Sequence, residues 1–229
     1  MNSQVNLTDL EYSKLESFVT ETLGQPKFRA KQIFGWIHGG PAKDGGIRMG
    51  AESFEDMSNL PKSLRAKLAE CATLVQPAVL REQVSELDGT RKFLFGLEDG
   101  NAIESVFMKY KFGNSICVSS QAGCRMGCRF CASTIGGLKR NLTPGEIVGQ
   151  ILAAQKQTGE RISHVVVMGT GEPFDNYENL AAFIRIINDR NGLDIGMRNI
   201  TVSTCGLVPK IARFAEDFPQ VNLAISLHK

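Results

Sequence analysis

Hydrophobic residues recur at helical spacing through the N-terminal part of the chain, residues 1–75. The clearest sets are Leu15, Phe18, Val19 and Leu23, and then Ile33, Phe34 and Ile37. A shorter helix is predicted around residues 64–72, and the glycine-rich stretch 39–46 interrupts the pattern as a loop. We therefore predict a small helical domain over residues 1–75.

The pattern changes to short strands over residues 76–112. Asp88-Gly89 and Asp99-Gly100 interrupt this stretch, and Asp-Gly pairs favour hairpin turns because glycine accepts positive φ without steric cost. We predict an antiparallel hairpin region that connects the helical domain to the remainder of the chain.

From residue 113 onward, apolar strands alternate with amphipathic helices. The predicted strands are Ser115–Ser119, His164–Met168, Asn199–Ser203 and Val221–Ser226. Thr143, Pro144 and Glu146 have the spacing of a helix N-terminus with a capping box. Alternation of this kind predicts right-handed crossovers and a parallel sheet. Because four strands cannot close an eight-stranded barrel, the predicted fold class is α/β, with an incomplete (β/α) barrel over residues 113–229.

Composition narrows the class of protein but not its partners. The chain has 229 residues and a net charge of +2, which says little about what it binds. No apolar stretch approaches the roughly 20 residues of a membrane span, and the N-terminus lacks the apolar core of a signal peptide. Six cysteines without a secretory signal fit a reducing compartment. We expect a cytoplasmic protein with no membrane partner.

Three cysteines just beyond the first of these strands carry the strongest chemical signal. Cys124, Cys128 and Cys131 form a CxxxCxxC triplet, and thiolates are the preferred ligands of iron–sulfur clusters. Three thiolates on a [4Fe–4S] cube leave the fourth iron free to bind a cofactor. A zinc site closed by Cys117 or His164 and a set of inert thiols are the alternatives.

A second candidate feature follows the next strand of the predicted sheet. Gly169, Gly171 and Glu172 lie between a strand and a helix, without the third glycine of a dinucleotide fingerprint or the lysine of a P-loop. The segment is either a plain turn or a cradle in which Glu172 accepts from an ammonium group. Carboxyl ends of parallel strands share one edge of a sheet, so we expect this segment beside the cysteines. If the cysteines hold a cluster with an open iron, the cofactor bound by this segment would be S-adenosylmethionine (SAM).

Longer stretches of the chain resemble a known family. The stretches are residues 104–110, residues 117–133, Phe28-Arg-Ala-Lys-Gln-Ile33 and Phe54-Glu-Asp-Met-Ser-Asn-Leu-Pro61. They are similar to the RlmN/Cfr group of radical SAM RNA adenine methyltransferases, and most similar to the RlmN type. The resemblance runs from about residue 10 to the last residue.

The resemblance implies a radical methyl transfer to adenine and assigns roles to residues. A cluster on Cys124, Cys128 and Cys131 would cleave SAM, while Glu104 would accept a proton and Cys117 would resolve a covalent RNA adduct. The implied cofactor contacts are Gly171, Glu172, Ser203, Ser226, Leu227 and His228. Cys71 and Cys205 match no motif and are expected to be structural, with Cys205 near the rim.

Two of these roles require particular surroundings. A nucleophilic Cys117 needs a lowered pKa, which Arg125 or Arg129 could supply. Glu104 lies among apolar residues, so its carboxylate could be desolvated and suited to act as a base. The alternatives are a core cysteine and an outward-facing strand residue.

The implied partners are 23S rRNA, tRNA and an electron donor such as flavodoxin or ferredoxin, and a monomer is expected. The helical domain would face the RNA. Basic residues that could contact phosphates, or that are simply solvated, are Lys109, Lys111, Arg125, Arg129, Lys139 and Arg140.

The expected product is adenine methylated at carbon 2, with carbon 8 as in the Cfr type as an alternative. A zinc-stabilised RNA-binding module and a different radical enzyme are competing functions. The methyl-carrying cysteine of the family lies beyond residue 229, so we expect a truncated chain that binds cluster and cofactor without completing methyl transfer.

Overall fold

The computed structural model describes residues 4–44 and 46–227, and their N-terminal part is built from short helices. The helices are α1 (Tyr12–Ser17, continued by a π-helical turn over Phe18–Thr22), α2 (Phe28–His38) and α3 (Lys62–Cys71). Small strands accompany them: β1 (Val5–Asn6), β2 (Gly40–Pro41), β3 (Ile47–Arg48) and β4 (Ala72–Thr73). Leu15, Val19, Ile33, Phe34 and Ile37 are all buried, which confirms the predicted apolar faces.

The remaining strands and helices form one α/β unit. The strands are β5 (Ala78–Val84), β6 (Arg91–Gly96), β7 (Ala102–Tyr110), β8 (Gly113–Val118), β9 (Gln121–Ala122), β10 (Arg140–Asn141), β11 (Ile162–Val167), β12 (Ile200–Thr204) and β13 (Asn222–Ile225). The helices are α4 (Pro144–Thr158), α5 (Tyr177–Asn188) and α6 (Val208–Asp217). All four predicted parallel strands and both predicted hairpin turns are present, with bounds shifted by a few residues.

A seven-stranded mixed sheet is the centre of the molecule. Its strand order is β13-β12-β11-β8-β7-β6-β5. Strands β8, β11, β12 and β13 are parallel, whereas β5, β6 and β7 continue the sheet antiparallel from β8. Val106 of β7 lies opposite Cys117 of β8. The predicted hairpin region therefore shares a single sheet with the parallel strands, and the boundary expected near residue 112 falls at a turn within that sheet.

Helix α4 begins as the sequence predicts. The Thr143 hydroxyl accepts from the Glu146 N–H at 3.2 Å, and the Glu146 carboxylate accepts from the Thr143 N–H at 2.9 Å. Pro144 occupies the first turn, where its missing N–H costs nothing. Within residues 4–44 and 46–227, no helix combines the length and the apolar character that crossing a membrane requires.

The start of α4 also joins the N-terminal helices to the sheet. The Gly145 N–H donates to the Asp9 carboxylate at 2.7 Å. A side chain on Gly145 would meet that same carboxylate oxygen at 2.7 Å, so only glycine permits this approach. The buried apolar side chains on both sides of this junction form a continuous core.

His38 is a buried titratable residue in that core. Its side chain is fully buried at the end of α2, with its ring centroid 4.4 Å from that of Phe34. Neither ring nitrogen finds a hydrogen-bond partner within the described residues. Burial disfavours the charged imidazolium and lowers the pKa of His38 to about 3.

We predict that His38 makes the fold sensitive to mild acid. The unfolded chain takes up a proton below the ordinary histidine pKa of about 6.5, whereas the folded chain does not. Stability is therefore lost as pH falls from about 6.5 toward 3, by at most about 1.4 kcal/mol per pH unit. Urea unfolding between pH 7 and pH 5 should show a shallower loss for His38→Leu than for the native chain.

His164→Gln is the matched control, because it removes a half-buried imidazole elsewhere in the molecule. A His38→Leu variant that loses stability with acid as steeply as the native chain would contradict this explanation.

Candidate functional site

The loops beyond the carboxyl ends of β8, β11, β12 and β13 meet around a cavity of about 180 Å³. The predicted site residues that line it are Cys124, Cys128, Cys131, Gly171, Glu172, Ser203 and Ser226. The Ser203 and Ser226 hydroxyl oxygens are 2.9 Å apart across the cavity edge. The side chain of Leu227 is exposed and does not line the cavity, and His228 lies outside the described residues.

The loop that carries the three cysteines is closed at its base. Strands β9 and β10 pair antiparallel on either side of it. The Asn176 side-chain amide donates to the Ser120 carbonyl at 2.9 Å and to the Leu142 carbonyl at 2.8 Å. Directly after β8, the Ser119 N–H donates to the Gln150 side chain at 2.8 Å. These buried contacts fix where the cysteine loop leaves the sheet.

The donor chemistry of the cavity fits an iron–sulfur cluster. Cys124, Cys128 and Cys131 are free thiols that face one space. Burial raises the pKa of the Cys124 thiol, and the negative charges of Cys131, Cys128 and Glu172 raise it further. Bound metal would favour the thiolates and offset this repulsion.

Within the described ranges, no three His, Cys, Asp or Glu side chains are arranged to hold one metal ion. A cube differs from such a site because its irons are distributed over the cluster and each cysteine binds its own iron. The fourth zinc ligands considered from the sequence, Cys117 and His164, line a different cavity of about 650 Å³.

Glu172 is the most completely bonded carboxylate of the site. It is 3% exposed and accepts from the Thr204 hydroxyl at 2.7 Å, the Cys205 N–H at 2.8 Å and the Phe174 N–H at 3.0 Å. The Cys205 thiol also hydrogen-bonds to Glu172, so the roughly four acceptor positions of a carboxylate are all engaged. The carboxylate is thus oriented before any ligand arrives.

Gly171 lines the cavity and also packs tightly against β9. Its φ is +108°, and a side chain there would meet the Gln121 Cβ at 2.6 Å. The Glu172 N–H donates to the Gln121 side chain at 2.8 Å, which ties this loop to the start of the cysteine loop. The two interpretations of the glycine segment are therefore compatible, because the turn packs on β9 and also lines the cavity.

Cys117 occupies a different environment from the one expected. Its side chain lines the 650 Å³ cavity, and Met168 borders both cavities. Burial raises the pKa of the Cys117 thiol. The expected lowering by an arginine is wrong, because burial dominates and neither Arg125, which pairs with Asp175, nor Arg129 acts on this thiol.

Glu104 is likewise exposed rather than enclosed by apolar residues. Ile103 and Phe107 point to the opposite, buried face of β7, as period-two alternation requires. The Glu104 carboxylate forms an ion pair with Lys92 at 2.7 Å. The expectation of an apolar environment is therefore wrong, whereas the role of Glu104 stays a prediction.

Cys205 lies at the rim, as expected from the sequence, and lines the cavity together with Cys124, Cys128 and Cys131. Burial, a hydrogen bond to Glu172 and the charges of Glu172, Cys128 and Cys124 raise the pKa of Cys205 to about 12. The sequence analysis missed this bond to Glu172, and it missed Thr204, whose hydroxyl also donates to Glu172. Their place at the end of β12, on the same edge as Glu172, is the signal that could have identified both contacts.

Half of the candidate phosphate-binding cations are already paired. Lys109 binds Glu160, Arg125 binds Asp175, and Arg140 binds both Asp99 and Glu146. The other three, Lys111, Arg129 and Lys139, are exposed.

Known protein families match both the N-terminal helices and the parallel strands of the chain. Residues 5–74 match the family described as ribosomal RNA large subunit methyltransferase N-terminal domain, and residues 118–229 match the radical SAM superfamily. A probable dual-specificity RNA methyltransferase RlmN of Desulforamulus reducens is 52% identical over 227 residues, which are 99% of this chain and 62% of that protein. The corresponding protein of Clostridium tetani is 52% identical over 228 residues, again with 62% of its length covered.

A solved structure agrees with these matches. A crystal structure of a radical SAM methyltransferase from Sphaerobacter thermophilus superimposes with a TM-score of 0.86 at 42% identity, covering 98% of this chain and 64% of that one. The chain thus spans about 62% of the length of the curated relatives that it matches. An RlmN-type N-terminal domain followed by radical SAM sequence and fold shows that the chain belongs to the RlmN family of radical SAM proteins.

Proposed function

We propose that the chain forms the [4Fe–4S]- and SAM-binding part of an enzyme that methylates carbon 2 of adenine in 23S rRNA and tRNA. The observation that carries the proposal is the single cavity that gathers Cys124, Cys128 and Cys131 with Glu172. The names of the relatives support RNA as the substrate, and the choice of carbon 2 rests on the resemblance to the RlmN type.

The residues of the cavity divide into ligands and positioning groups. Cys124, Cys128 and Cys131 would each hold one iron, which leaves one iron for the cofactor. When bound, the cluster supplies the electron that cleaves SAM. Glu172 accepts from the cofactor's ammonium group in place of the Cys205 thiol, while the hydroxyls of Ser203 and Ser226 bond the cofactor's polar groups. Leu227 and His228 complete the proposed contacts.

Glu104 and Cys117 are proposed as the proton acceptor and the resolving thiol. Both side chains project from the face of the sheet that carries the 650 Å³ cavity, since Val106 lies two residues from Glu104 and opposite Cys117. Exposure suits Glu104 to exchange a proton with substrate and solvent. The half-buried Cys117 stays a thiol at neutral pH and must lose its proton in order to react.

The wider organisation is also part of the proposal. The open parallel strands would belong to a partial (β/α) barrel over residues 113–229, with residues 1–75 facing RNA and residues 76–112 connecting the two. A flavodoxin- or ferredoxin-like donor would reduce a monomeric enzyme in the cytoplasm.

We predict that anaerobic reconstitution yields a brown protein with about four irons and about four sulfides per chain, the content of one cube. Cys124→Ala, Cys128→Ala and Cys131→Ala should each lose most of this iron, because each removes a ligand. Cys71→Ser is the control, since Cys71 lies away from the cavity. A colourless protein with one zinc and no sulfide would refute the proposal.

We predict that Glu172→Gln weakens SAM binding about tenfold or more while iron content is unchanged. The reason is the loss of a charge-assisted hydrogen bond, typically worth about 1.5–3 kcal/mol. Equilibrium dialysis of the reconstituted protein with labelled SAM measures the effect. Asp217→Asn serves as a control carboxylate, because Asp217 binds Tyr177 outside the cavity. If Glu172→Gln and the native protein bind SAM with equal affinity, Glu172 does not contact the cofactor.

We predict that Cys117 reacts with iodoacetamide more slowly than free glutathione at pH 7.5, and that its rate is still rising above pH 9. The direction follows from the raised pKa, because only the thiolate is nucleophilic. Peptide mass spectrometry resolves Cys117 from the other cysteines. A reactive Cys117 at neutral pH would show that its thiol is activated after all.

A further inference from the structure

The end of strand β12 and the turn that follows it, Thr204-Cys205-Gly206, lie against the carboxylate of Glu172. The Thr204 hydroxyl donates to Glu172 Oε1 at 2.7 Å, and the threonine is 1% exposed. The Ser226 N–H donates to the Thr204 carbonyl at 2.9 Å, so the residue is held through its backbone as well. A side chain that is buried and held in this way can fix the orientation of the group it contacts.

The direction of the Thr204 hydrogen bond is set by Gly206. The Gly206 N–H donates to the Thr204 hydroxyl oxygen at 3.1 Å. The φ of Gly206 is +107°, a backbone conformation that favours glycine. An ionised carboxylate can only accept hydrogen bonds, so the hydroxyl proton of Thr204 points at Glu172 while its oxygen receives the Gly206 N–H. The turn after β12 therefore directs this hydroxyl at the carboxylate.

The two carboxylate oxygens of Glu172 have different surroundings. Oε1 receives the Thr204 hydroxyl and the Phe174 N–H, whereas Oε2 receives the Cys205 N–H at 2.8 Å. Each carboxylate oxygen has about two acceptor positions, so these two donors fill Oε1. The position open to a further donor is on Oε2. The Cys205 thiol, which also hydrogen-bonds to Glu172, competes with any cationic donor for the carboxylate.

We propose that Thr204 is a positioning residue for SAM, which holds Glu172 so that Oε2 faces the ammonium group of the cofactor, while the neighbouring Cys205 thiol opposes cofactor binding. This proposal rests on the proposed function, in that Glu172 binds SAM. The ammonium group would displace the thiol, because a charge-assisted hydrogen bond is stronger than one from a weak S–H donor. Two adjacent residues thus have opposite effects on cofactor affinity.

Equilibrium dialysis of the reconstituted chain with labelled SAM tests the role of Thr204. Thr204→Val should weaken SAM binding about fivefold, the effect of one ordinary hydrogen bond, because Oε1 loses a donor and the carboxylate can rotate. Thr204→Ser keeps a hydroxyl and should bind SAM as the native chain does. Iron content should be equal in all three proteins. The matched control is Thr158→Val, which changes a half-buried threonine away from the cavity.

A double-mutant cycle with Glu172→Gln tests whether Thr204 acts through the carboxylate. In the Glu172→Gln background, Thr204→Val should change SAM affinity by less than about twofold, because substitutions within one hydrogen-bond network are not additive. A purely structural role of Thr204 would instead give the same loss of affinity in both backgrounds.

Cys205 should show the opposite effect. Cys205→Ala should tighten SAM binding about twofold, because the ammonium group no longer has to replace the weak hydrogen bond of the thiol. Cys71→Ala is the control, since Cys71 is a free cysteine outside the cavity.

The proposal is overturned if Thr204→Val binds SAM as the native chain does, loses its iron, or shows its full loss of affinity again in the Glu172→Gln background. It is equally overturned if Thr204→Ser binds as weakly as Thr204→Val, or if Cys205→Ala does not bind more tightly. The proposed function survives each of these results. A native chain that holds no cluster or binds no SAM would refute the proposed function itself, and this proposal with it.

Discussion

The hydrogen-bonded carboxylate of Glu172 connects the separate loops that surround the cysteine cavity. It receives donors from its own turn and from the end of β12, while its N–H reaches Gln121 at the start of the cysteine loop. A buried carboxylate without such donors would be strongly destabilising. The hydrogen bonds to the Glu172 carboxylate therefore hold the loops after β11 and β12 in one relative position. That position leaves the cavity between the two loops.

Much of the fold follows from local sequence rules, and the exceptions have physical causes. The capping box of Thr143 and the Asp-Gly turns involve neighbours in sequence, so periodicity and turn chemistry predict them. The continuity of the sheet from β7 to β8 depends instead on pairing between strands, which composition does not encode. The hydrogen bond between Asp9 and Gly145 joins residues far apart in the chain. Neither segment contains a local pattern that predicts it.

The site could be predicted to a similar extent. The rule that strand ends share an edge places Glu172 and Ser203 beside the three cysteines, as the structure shows. The surroundings of individual side chains were harder to infer, because successive residues on a strand point to opposite faces of the sheet. Glu104 is exposed for this reason, although apolar residues flank it. Cys117 is half-buried on β8, and the arginine of the following loop, Arg125, pairs with Asp175 instead.

The close approach of Gly145 to Asp9 has a consequence for which substitutions the two parts of the chain tolerate. A methyl group at residue 145 would press on the Asp9 carboxylate and on the backbone of Thr8 and Asp9, and the apolar core continues across the same junction. A larger residue at the start of α4 would therefore require a matching change in the segment around Asp9. The contact thus couples sequence changes in the sheet to changes near the N-terminus, although the two segments are far apart in the chain.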